Sequence, residues 1–179
     1  MSRLLLAVLV ATFLQGGPQE RDETAPPVAV FSALDGTWKG TFVGYNEAGT
    51  CLYRIRVTQT YRTVSDTEQE VIVRDEMPDG TVITGEGENV ARVGDDGRLW
   101  LECHVRKSNG EKVKHIGRVV QGPDGDEQII WFSKEEGRTE TFREVVREEN
   151  GETVYSIDGM GDYGGTLMLM HGRYRKVVK

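Results

Sequence analysis

Three histidines and two cysteines bound the chemistry that this 179-residue chain can carry. His104 and His115 flank Asn109-Gly110, a dipeptide that accepts the positive φ of a two-residue type I′ turn. A turn of that length pairs Ser108 with Glu111 and sets His104 directly opposite His115. Opposed residues have Cβ atoms about 5 Å apart, close enough to share a metal ion. Glu102 falls on the same face as His104 and is a candidate third ligand. No His-x-His or Cys-x-x-Cys spacing reinforces this set, and a histidine pair on a half-exposed hairpin also reads as plain sheet surface. The third histidine, His171, stands alone near the C-terminus.

Nucleophilic catalysis finds less support. Cys103 adjoins His104, but neighbours on a strand face opposite ways, so they cannot form a Cys–His dyad there. No Gly-x-Ser-x-Gly elbow occurs. Glu86 and Glu88 share a strand face and are a formal carboxylate pair. Their neighbours Gly85 and Gly87 suggest a bend or bulge with solvated acids instead. Gly85-x-Gly87 opens no helix, which excludes a phosphate loop. The sequence thus names no catalytic residue and calls for no cofactor.

The elements that would position these side chains are strands. Cys51, Tyr53, Ile55 and Val57 alternate with polar neighbours. Leu99, Leu101, Cys103 and Val105 do the same opposite Trp100, Glu102 and His104. Further strands are expected at 37–44, 70–75, 81–93, 113–120, 127–133, 138–147, 153–158 and 166–177. Turn signals separate them: Asn46 to Gly49, Pro78-Asp79-Gly80, Gly94 to Gly97, Asn109-Gly110, Pro123-Asp124-Gly125, Glu135 to Gly137 and Asn150-Gly151. Two more turns are expected near Ser65-Asp66 and in the Gly-rich stretch from Gly159 to Gly165. No segment of the domain keeps a 3.6-residue apolar period. About ten strands on short loops form an antiparallel meander, which removes its exposed edges by closing into a barrel. A two-sheet sandwich is the alternative architecture.

Cys51 begins the second predicted strand and Cys103 sits midway along the fifth. Those strands are not neighbours in a simple meander, and a bridge needs Cα atoms within about 7 Å. Both cysteines are therefore expected inward as free thiols, with a disulfide the open alternative. Trp100, Trp131, Phe142, Tyr155, Met168 and Met170, with Ile129 and Phe132, are the candidates to line a cavity; the other reading is that they fill the core.

Composition narrows the partners. With 29 acidic against 22 basic residues the chain carries -7, which repels a phosphate backbone and argues against nucleic acid. Arg3 followed by the apolar run Leu4–Leu14 has the form of a secretory signal peptide, too short to span a bilayer. Residues 1–17 are read as that signal, 18–30 as a Pro-containing polar linker and 31–179 as the one domain. The mature protein is expected outside the cytoplasm, periplasmic or secreted, with no membrane span.

The domain opens with Leu34-Asp35-Gly36-Thr37-Trp38-Lys39-Gly40. Gly36-x-Trp38 resembles the signature that begins the first strand of lipocalins and related calycin barrels. The layout from about Phe31 to Lys179 is similar to small exported bacterial lipocalin-like domains. The resemblance implies an all-β, up-and-down antiparallel barrel of about eight to ten strands whose Trp38 closes the base under an arginine, here Arg173 or Arg175. It also implies a small apolar or amphipathic ligand inside and no enzymatic activity. Gly36-x-Trp38-x-Gly40 also resembles the start of nitrobindin-like haem barrels, the alternative reading, whose C-terminal haem ligand would map loosely onto His171. The Arg-x-Tyr pair of fatty-acid-binding proteins has no counterpart, since Arg173 and Tyr174 are adjacent and point to opposite faces. A structural envelope module with a filled core is the remaining reading.

Overall fold

Ten strands follow one another around a single closed sheet. The computed structural model describes residues 31–135 and 137–178; the expected signal peptide and linker lie outside them. In chain order the strands are β1 (Gly36–Asn46), β2 (Cys51–Thr63), β3 (Glu68–Glu76), β4 (Val82–Val93), β5 (Leu99–Lys107), β6 (Lys112–Gln121), β7 (Glu127–Glu135), β8 (Arg138–Glu149), β9 (Glu152–Tyr163) and β10 (Thr166–Lys176). Each pairs antiparallel with the next, and β1 returns to β10 through nine residue pairs from Trp38↔Lys176 to Asn46↔Met168. The sandwich alternative is excluded, because closure leaves no strand edge unpaired.

Glycine in the left-handed region makes most of the turns. In the loops closed by Gly49, Gly80, Gly97, Gly110 and Gly125, only the third loop residue has positive φ. The bonds Lys107 N–H to Glu111 O (2.9 Å) and Gly110 N–H to Lys107 O (3.0 Å) show the pattern: a three-residue loop ending on a glycine bulge. This corrects the expected hairpin. Asn109 is not at positive φ, the loop is one residue longer than a type I′ turn, and the register shifts by one: Cys103 faces His115, and His104 faces Lys114. A one-residue shift sends every side chain of a strand to the other face. Among the described residues, two-residue turns occur at Asn150-Gly151 (φ 53° and 79°) and Gly164-Gly165 (65° and 89°).

One end of the barrel is sealed. Trp38 and Leu101 are wholly buried, and Phe31 and Leu34, from the turn preceding β1, cap them. The Trp38 indole N–H donates to Leu34 O at 2.6 Å. Its ring packs on Tyr155 (centroids 5.5 Å), which packs in turn on Tyr61 (6.1 Å) and Tyr174 (5.3 Å). Polar ties hold the cap. Buried Gln69 donates from Nε2 to Phe31 O and to Asp35 Oδ1, both 2.9 Å, and accepts from Asn89 Nδ2 at 3.0 Å. Asp35 Oδ1 also accepts from the backbone N–H and hydroxyl of Thr63.

The cation over Trp38 is Lys176, its register partner, with Nζ 5.3 Å from the ring centroid. The expected Arg173 and Arg175 lie one residue out of phase with Lys176. They point outward and pair with Glu149 and Glu152.

Candidate ligand cavity

Above the floor the interior is not filled. A cavity of about 480 Å³ runs to the end bearing the β1–β2, β3–β4 and β5–β6 loops. That volume lies within the usual range for small-molecule sites. It overturns the filled-core reading of the apolar stripes.

Its walls stay open because large rings lie across glycines. Gly44 is the register partner of Tyr53, Gly117 of Trp131 and Gly159 of Phe142. A methyl group added to any of the three would overlap the facing ring. Each ring therefore lies against the wall instead of across the lumen. Val57, Val105, Ile157 and Met170 are among the other apolar residues of the lining.

A chain of charges rings the upper cavity. Lys107 Nζ lies 3.2 Å from both Asp75 and Glu111, and Arg138 bridges Glu111 at 3.0 Å and Glu140 at 2.9 Å. Glu140 also takes His115 Nε2 at 2.8 Å and the Tyr163 hydroxyl. Burial alone would raise the Glu140 carboxyl, but hydrogen bonds from His115 and Tyr163 and the charge of Arg138 outweigh it and hold the group at about 2. Burial would likewise lower Lys107, and its two carboxylates lift it instead. Tyr163 is raised by burial and by its bond to Glu140.

Deeper lies Glu144, also lining the cavity and also on β8. Burial raises its carboxyl, outweighing the lowering influence of Trp131 and Tyr155 beside it. The Tyr61 and Tyr155 hydroxyls, 3.3 Å apart, extend this chain across the floor. Cys103 sits beside it, and burial followed by the Glu144 charge pushes its thiol up to about 12.

The structure separates the residues expected to act together. His104 is on the outer wall beside Glu102 (3.1 Å), while His115 is inside on Glu140, so the barrel wall stands between the two imidazoles. Among the described residues no group of three His, Cys, Asp or Glu side chains is placed to hold a metal. His171 is also outside, with Nδ1 2.6 Å from Asp158, and cannot reach a group in the lumen. Trp131, Phe142, Met168 and Met170 do line the cavity. Tyr155 is fully buried in the floor beneath it. Trp100 faces outward, with the Arg118 guanidinium 3.7 Å from its ring centroid. Phe132 is exposed, and Ile129 belongs to the core below the cavity. Both thiols are free; Cys51, however, is exposed at the rim rather than buried. Glu86 and Glu88 lie on a regular stretch of β4, without the expected bulge, and both are exposed. Gly87 is required instead by close approach of the backbone at His104 O.

No family model matches the chain, and no curated protein matches it. Among solved structures, the S-type phycobiliprotein lyase CPES from Guillardia theta superposes with a TM-score of 0.60 at 11% identity, over 88% of this chain and 96% of that one. The fold is lipocalin-like. Two designed proteins also match. One is a de novo fluorescence-activating beta barrel, with a TM-score of 0.40 at 14% identity over 86% of this chain and 99% of that one. The other is the redesigned barrel mFAP1 bound to DFHBI, with a TM-score of 0.41 at 13% identity over 85% of this chain and 100% of that one. At these identities the likeness concerns the lipocalin-like fold alone.

Proposed function

We propose that this lipocalin-like barrel binds a small amphipathic molecule in its lumen and does no chemistry on it. The observation that carries this reading is the cavity itself: about 480 Å³, sealed at the Trp38 end, apolar along the walls and charged at the top. Apolar walls with a few convergent polar groups are the common form of a small-molecule site. The arrangement of its charges supports binding over catalysis. Glu140, Arg138, Lys107 and Glu111 are committed to one another, and such mutual pairing holds each in one protonation state near neutrality. The apolar run Leu4–Leu14 after Arg3 supports a role outside the cytoplasm.

Native mass spectrometry of the purified protein tests the reading, together with titration by the neutral fluorophore N-phenyl-1-naphthylamine. A co-purified mass, or one-to-one fluorophore binding that Gly117→Trp abolishes, is the expected result. Failure of both would remove the proposal.

A further inference from the structure

Glu144 is the one carboxyl lining the cavity to which, among the described residues, the structure gives no cation. Asp75, Glu111 and Glu140 share Lys107, Arg138 and His115. The groups facing Glu144 are Tyr61 from β2, Cys103 from β5, His115 from β6, Trp131 from β7, Tyr155 from β9 and Tyr174 from β10. Only His115 among them can carry positive charge, and it is bonded to Glu140. Arg138 is six residues up the same strand, roughly 20 Å along it.

Trp131 and Tyr155 beside it leave part of the carboxylate's acceptor capacity of about four sites open. The remainder faces a cavity walled by aromatic rings, whose π faces favour a cation. We propose that Glu144 is the recognition carboxylate for an organic ammonium ligand, bound amine-first with its apolar tail toward the mouth. This deepens the binding function proposed above and rests on it. A buried acid without a counter-charge is costly, and a bound ammonium supplies that charge while Phe142, Met168 and Met170 take the tail.

The test is displacement of N-phenyl-1-naphthylamine by octylamine, octanol and octanoate, from the unaltered protein and from Glu144→Gln. Octylamine should displace at least about tenfold more effectively than octanol, and octanoate least. In Glu144→Gln the advantage of the amine over the alcohol should disappear. A readout needing no variant is pH. Burial raises Glu144, so below its raised value an entering ammonium must expel a proton. Amine affinity should then fall by up to about tenfold per pH unit as pH drops, while octanol affinity stays flat. Fluorophore binding without amine preference, or a preference that persists in Glu144→Gln, overturns the assignment of Glu144 alone. If neither the fluorophore nor octylamine binds by calorimetry, the ligand-binding reading falls and this one with it.

Discussion

Two neighbouring acids on β8 are set to opposite purposes by their surroundings. Glu140 meets a histidine, an arginine and a tyrosine hydroxyl and is held at about 2, against an ordinary 4.5. Its folded value is depressed, so the stability it contributes is complete above about 4.5 and is lost as pH falls toward 2. Chemical denaturation of the unaltered protein should show this decline, and Glu140→Gln should lack its share, at most about 3 kcal/mol. Near neutrality the same variant should be less stable than the parent by several kcal/mol, because Arg138 and His115 lose a buried partner. Trp38 makes the opposite kind of contribution, through bulk. Its replacement by Ala would empty the centre of the floor and should cost about 3–5 kcal/mol in the same measurement. His104 and His115 point to opposite sides of the wall, so zinc or a chelator should leave the melting temperature unchanged; a zinc-dependent rise abolished by His104→Ala would contradict this register.

Among the elements, the glycines facing aromatic rings shape the site most directly. Gly117→Ala should push the Trp131 ring off the wall, destabilise the barrel by about 1–3 kcal/mol and weaken binding of N-phenyl-1-naphthylamine. Tryptophan emission and probe titration would both report the shift, and unchanged probe affinity would count against the open-lumen geometry. These pairs also explain what the sequence concealed. Ten strands, their punctuation and the buried Trp38 were legible, because alternation and turn glycines are local signals. Gly159 and Gly161 suggest a turn in isolation but lie within β9, since Phe142 and Glu140 from β8 cover them. The β5–β6 register is hidden from the sequence for a related reason. Asn-Gly favours two turn types differing by one residue, and flanking residues do not distinguish them. Lys107, Glu111, Arg138, Glu140 and Glu144 do not stand out in the sequence as site residues, because charged side chains on strands usually face water. Their inward phase, shared with Cys103, Val113 and Phe142, was the available clue.

For the molecule as a whole, closure and the plugged floor act together. The β1–β10 seam joins the two ends of the domain, and Tyr174 and Lys176 of β10 pack directly on the floor residues. Ending the chain after Gly172 should therefore abolish cooperative unfolding rather than trim a terminus, as thermal melts by circular dichroism would show. The plugged base also has a kinetic meaning. A lumen with one opening is a dead end, so an occupant must leave by the route it came, and a second molecule cannot push it out from behind. Exchange should then be limited by departure, with a rate independent of the competitor's concentration. In stopped-flow displacement, such a vessel would behave as a one-for-one carrier with a fixed residence time, and never as a conduit.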